Sequence, residues 1–129
     1  MKENFNIEII SPERKLFKDK AISVTIPAFE GEMTILPNHI SLITFLRPGI
    51  INVISQKEEK YFVEEGTVEF SDNNLSILSS TILEFNALTN EKISQMINES
   101  KSQLNKENLD DKKKYIFSHK IDTLNKINL

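Results

Sequence analysis

The chain contains no cysteine, which excludes a disulfide framework, a thiolate nucleophile and zinc sites built on sulfur ligands. It has only three glycines, Gly31, Gly49 and Gly66. They lie far apart, so no glycine-rich loop cradles a phosphate, and each stands beside an expected strand end where a turn or close approach accounts for it. No apolar run nears the roughly 20 residues that cross a bilayer as a helix, so any membrane association is expected to be indirect. The opening MKENFNIEII lacks the basic and continuous apolar regions of a secretory signal, and no cleavage is expected. A strong charge of one sign is missing as well: 16 Lys and Arg stand against 19 Asp and Glu. Without aromatics interleaved among arginines, a nucleic-acid partner is not expected.

What is present falls into two parts. The 129 residues suffice for one domain with an appendage. Residues 1–88 hold 8 Lys and Arg and 13 Asp and Glu, a net −5, whereas residues 89–129 hold 8 Lys and 6 acids, a net +2. Up to about residue 88 the apolar pattern has period two. Phe5, Ile7 and Ile9 alternate with Asn6 and Glu8, and Ile22, Val24 and Ile26 with Ser23 and Thr25. Further short strands are expected at 33–35, 42–46, 50–55, 61–65, 68–71 and 75–79. QKEEK at 56–60 is expected as an exposed hairpin tip and DNN at 72–74 as a tight turn. Many short strands at close spacing indicate a sandwich or barrel.

From Thr89 the period becomes helical. Ile93, Met96, Ile97, Ser100 and Leu104 form one stripe, with Thr89 the expected N-cap. A second helix is expected from Asn108 as cap, with a stripe of Leu109, Ile116, Phe117, Ile121 and Leu124. The break near Lys106 makes the pair an antiparallel hairpin. Helices of this length are marginal alone in water. Their stripes therefore need a partner, either the sandwich or another protein, and a hairpin on a modest interface can change position.

For chemistry, Glu30, Glu32 and His39 are the candidate metal or acid/base cluster. Against that, the two acids flank Gly31 in a turn where carboxylates are simply solvated, and the other histidine, His119, lies on the second helix. Ser11, Ser41, Ser79 and Ser80 carry no nucleophile motif. No catalytic, metal-binding or cofactor-binding set is expected. The run DDKKK at 110–114 is a solvated helix start or an electrostatic dock beside Ile116 and Phe117.

In order along the chain, SPERKLF at 11–17, VTIPAFEGEMTILPNHISLITFLRPG at 24–49 and EEGTVEFSDNNLSILSS at 64–80 resemble the epsilon subunit of the F-type rotary ATP synthase, called delta in mitochondria. The family shows a PGxxGExGILPxHxPLxxxLxPG core followed by GGxxEVxxNxxxxLA. Here Ala28 replaces a common glycine, Ser41 a proline, Glu65 the first glycine of the pair and Ser79 an alanine. The resemblance implies a ten-stranded β-sandwich over 1–88 followed by an antiparallel two-helix hairpin over 89–129. It implies a non-enzymatic central-stalk subunit that couples c-ring rotation to the gamma subunit. Its place would be peripheral, on the cytoplasmic face of a bacterial inner membrane, with a plastid thylakoid less favoured.

By the same resemblance, Glu30, Gly31 and Glu32 face the c-ring, and Ser11, His39 and Thr44 face gamma. Lys112, Lys113 and Lys114 serve a hairpin that can extend toward the catalytic alpha and beta subunits and inhibit ATP hydrolysis. Some bacterial members bind ATP through IDxxRA at the first helix. The matching residues, Leu88 to Ile93, lack the aspartate and alanine and carry Lys92 for the arginine, so weak or no ATP binding is expected. The reading of another class is a small-ligand module with the hairpin as a gated lid.

Overall fold

The computed structural model describes residues 3–106 and 108–127. Ten strands precede two helices: β1 (Phe5–Ile10), β2 (Lys15–Ala21), β3 (Ser23–Ala28), β4 (Gly31–Ile35), β5 (Leu42–Leu46), β6 (Gly49–Ile54), β7 (Glu58–Val63), β8 (Gly66–Ser71), β9 (Asn74–Leu78) and β10 (Leu83–Glu84), then α1 (Asn90–Leu104) and α2 (Asp111–Lys126). The strands hydrogen-bond in the order β10-β7-β6-β3-β5-β8-β9-β1-β2, with β4 added to β3. β1 and β9 run parallel. The sheet closes over one interior, where alternate residues such as Ile7, Ile9, Val24, Val53, Val68 and Ile77 are fully buried in a single apolar cluster. Phe5 meets Phe70 edge-on at 5.7 Å within it. The β-sandwich with a C-terminal helical pair is thus the observed architecture.

The eight strands expected from alternation are present, and two more join them. β2, KLFKDKA, escapes a hydrophobic pattern because it is an edge strand whose lysines and aspartate face water, as edges do to avoid pairing with other chains. β10 has two residues and no pattern to read. Polar Glu58, Glu59 and Lys60 belong to β7 rather than to a hairpin tip, because their backbones pair with Ile54, Val53 and Asn52. The turn itself is shorter, closed by the Ser55 N–H donating to the Lys57 carbonyl at 2.9 Å. Asp72 and Asn73 adopt φ of 52° and 58°, the left-handed pair of a tight hairpin turn that short polar side chains tolerate.

A second apolar cluster lies outside the sandwich. Along β7, Tyr61, Phe62 and Val63 are buried in succession, which a strand covered on one face cannot achieve. Phe62 points away from the interior and meets Leu88, Ile93 and Leu124, with Ile50, Met96 and Ile97 packed around them. The helical pair is therefore docked on the outer face of β6 and β7. Thr89 caps α1, accepting the Lys92 N–H at 3.1 Å. The cap of α2 is Asp110, which accepts the Lys113 N–H at 2.8 Å. The expected cap, Asn108, instead takes a left-handed turn conformation with φ 64°, and Leu109 precedes the helix rather than joining its stripe. Asp110 has the extended backbone that a cap requires, φ −74° and ψ 166°, and its carboxylate also meets the positive end of the helix dipole.

Candidate docking surfaces

β5 carries the sequence Leu-Ile-Thr-Phe-Leu, apolar on both faces. Leu42 and Leu46 turn inward to the core. Ile43 and Phe45, on the alternate face, are 72% and 63% exposed, and Ile40 just before them is 79% exposed. Phe45 pairs with Thr67 and Thr67 with Leu78, itself 49% exposed, so the apolar strip crosses β5, β8 and β9. A contiguous exposed strip of this kind marks a contact surface. Nothing in the alternation alone singled it out, but a five-residue strand with apolar residues on both faces was the available signal.

A groove of about 1030 Å³ runs beside this strip, between the sandwich and the start of α2. Ile10, Phe45 and Leu78 form one wall, and Lys112, Tyr115 and Ile116 the other. Ser11 and Thr44 both line it, as does Glu30. His39 does not join them. Its ring lies edge-on to Phe70 at 5.8 Å, and its Nδ1 is 2.7 Å from the Ile40 carbonyl. The three residues expected to face gamma thus divide, Ser11 and Thr44 at the groove and His39 at the foot of β5.

The β3–β4 connection is a two-residue turn at Phe29 and Glu30, with Gly31 opening β4 opposite Ala28. Gly31 has φ 149°, a conformation that strains any residue with a Cβ. Glu30 and Glu32 are exposed, and among the described residues neither makes a salt bridge. Among those residues no group of three or more His, Asp or Glu gathers where a metal could sit.

Gly66 and the substituted positions near it form a close-packed corner. A Cβ on Gly66 would lie 2.5 Å from the Leu78 carbonyl oxygen. Ser79 Oγ donates to the Glu65 carbonyl at 2.5 Å, and Thr81 Oγ1 accepts the Glu64 and Glu65 N–H groups at 3.3 and 3.2 Å. These bonds fix the β7–β8 turn without the glycine pair expected there.

Residues that the sequence did not single out hold the helices down. Tyr115 Oη donates to the Phe29 carbonyl at 2.5 Å and accepts from Arg47 Nη1 at 3.0 Å. Thr123 Oγ1 donates to the Pro48 carbonyl at 3.3 Å, and Lys120 forms a salt bridge with Glu64. Lys112, Lys113 and Lys114 are exposed at the first turn of α2, the end where the helix dipole disfavours cations.

A β-sandwich that carries a separately packed helical pair, an exposed apolar strip and an acidic turn presents surfaces suited to contact with other chains. Residues 4–85 match the family model described as ATP synthase, Delta/Epsilon chain, beta-sandwich domain. The chain is 44% identical over 130 residues to the ATP synthase epsilon chain of Pelagibacter ubique, covering 99% of this chain and 100% of that one. It is 34% identical over 106 residues to that of Rhizobium rhizogenes, covering 81% and 78%. Its fold matches a chain in a cryo-EM structure of Euglena gracilis mitochondrial ATP synthase showing OSCP, F1 and c-ring. That match has a TM-score of 0.78 and 20% identity, over 95% of this chain and 79% of the other. A chain from the Tetrahymena thermophila mitochondrial central stalk and c-ring matches with a TM-score of 0.63 and 14% identity, over 97% and 96%. The chain belongs to the delta/epsilon chain family of ATP synthase. Membership makes it a rotor-stalk subunit of that complex.

Proposed function

We propose that the chain is a non-catalytic adaptor that grips the gamma subunit through its sandwich and rests its β3–β4 turn on the c-ring, so that rotation passes between them. The observation that carries this is the exposed strip of Ile40, Ile43, Phe45 and Leu78. Its apolar area needs a partner, and it is bordered by Ser11, His39 and Thr44, the residues expected to face gamma. Glu30, Gly31 and Glu32 form the acidic turn that meets polar c-ring loops. No helix of the described residues is long and apolar enough to cross a membrane. In this reading the chain sits at the membrane through its partners, and its bacterial relatives favour the cytoplasmic face of an inner membrane.

Residues 1–88 and 89–129 act as two functional parts. The hairpin rests on an apolar cluster of its own, apart from the sandwich interior, so it can leave without unfolding the sandwich. Lys112, Lys113 and Lys114 are exposed where their own helix gains nothing from them, which supports a role in reaching acidic surfaces of the alpha and beta subunits. Co-purification tests the grip. Phe45→Glu is expected to leave the chain folded, because the ring is largely in water, and to lose gamma. Retention of gamma at the wild-type level would reject the strip as the contact.

A further inference from the structure

Among the contacts that dock α2, one side chain bridges two loops of the sandwich. The Tyr115 hydroxyl joins Arg47, in the β5–β6 connection, to the Phe29 carbonyl, in the β3–β4 turn. Its ring lies 4.7 Å from that of Phe29 on one side and 4.3 Å from that of His119, one helical turn on, on the other. The two loops it clasps are already tied together, since the Arg47 N–H donates to the Pro27 carbonyl at 2.9 Å and the Phe29 N–H to the Phe45 carbonyl at 2.8 Å. A single helix side chain is thereby seated on a rigid corner of the sandwich.

His119 is the member of this cluster whose charge changes near neutral pH. The charged groups that act on it are Arg47 from the β5–β6 connection, and Asp122 and Lys126 from α2 itself. Two cations and one anion surround a half-buried ring, so an imidazolium there loses water and gains a net repulsion. Released with the hairpin, the same ring regains its water and leaves Arg47 behind.

We propose that Phe29, Arg47, Tyr115 and His119 form a proton-sensitive latch on the hairpin, closed when His119 is neutral and loosened when His119 takes up a proton. The inference rests on the hairpin being a movable element. Burial first, and the Arg47 charge second, hold the His119 pKa below its ordinary value when docked. The released hairpin therefore binds the proton more readily than the docked one. Docking is at full strength above about pH 6.5, the ordinary histidine value, and weakens as the pH falls below it toward the docked value.

Native-state hydrogen exchange on the full chain, corrected for intrinsic rates, reads the opening of α2 directly. Between about pH 7.5 and pH 5.5 the opening constant is expected to rise several-fold, with a ceiling of roughly tenfold set by an open-state value near 6.5. His119→Gln is expected to flatten that rise. Tyr115→Phe keeps the ring and removes the two hydrogen bonds, and is expected to raise opening about five- to 100-fold at every pH while leaving the pH dependence in place. Separate opening of α2 with the same pH dependence in His119→Gln overturns the latch alone. Exchange of α2 amides only together with those of the sandwich core overturns the movable hairpin and the latch with it.

Discussion

Leu124→Ala separates the two apolar clusters most cleanly. Leu124 is 1% exposed and sits in the outer cluster with Phe62, Leu88 and Ile93, not in the sandwich interior. Alanine is the strongest helix former, so α2 loses no intrinsic helicity and the change reports packing alone. Truncating a fully buried leucine costs about 2–5 kcal/mol. A value in the lower half of that range, about 3 kcal/mol, fits a site between helices and sheet that can partly close over the void. At about 1.4 kcal/mol per decade, this raises the opening constant of the hairpin roughly 100-fold. Tyr115 lies nine residues earlier on the same helix, about 13 Å away along its axis, so its contacts survive and the two effects should add. Hydrogen exchange followed by mass spectrometry is the assay. Peptides covering α1 and α2 should lose protection by about that factor, while those covering β1, β6 and β9 keep theirs. Equal loss in the sandwich peptides would refute the claim that the hairpin is held by a cluster of its own.

The remaining expectations concern the corner, the hairpin and the nucleotide. Gly66→Ala should lower the melting midpoint by several degrees, a cost of about 1–3 kcal/mol, because the new methyl meets the Leu78 backbone oxygen rather than a yielding side chain; the exposed neighbour Thr67→Ala serves as control. Deleting residues 89–129 should leave assembly and ATP-driven proton pumping intact and relieve any inhibition of hydrolysis; loss of assembly would contradict the division into two functional parts. Titrating ATP against the purified chain by calorimetry should show weak or no binding. Leu88 is buried in the outer cluster, Thr89 is occupied as a cap, and Lys92 cannot offer a planar fork; a dissociation constant at or below the micromolar range would contradict this.

The sandwich was legible where a strand has one wet face, since burial then writes period two into the sequence, as in β1 and β9. It was illegible where side chains answer to something else. β2 is charged because it is an edge, and the polar start of β7 is strand because of its backbone partners. The cap of α2 moved from Asn108 to Asp110, two residues that score alike as caps until the backbone conformation decides between them. The acidic turn was readable as a turn, and the resemblance alone gave it a partner. The contacts that seat the hairpin were invisible in sequence, because tertiary folding brings Tyr115 to Arg47 and Phe29 from 68 and 86 positions away. Consecutive Tyr61, Phe62 and Val63, buried on both faces of one strand, were the trace that the helices left in the sandwich.

The central claim is that two distinct surfaces of one small sandwich, the β5 strip and the β3–β4 turn, meet the shaft and the ring. Disulfide cross-linking in native membranes tests it most directly, and the chain's lack of cysteine makes it a clean background. Glu32→Cys should cross-link to a cysteine in the polar loop of the c subunit, and Ser11→Cys to one in gamma, with neither exchanging partners. Cross-linking of both positions to the same subunit, or of neither to any rotor subunit, would contradict the account.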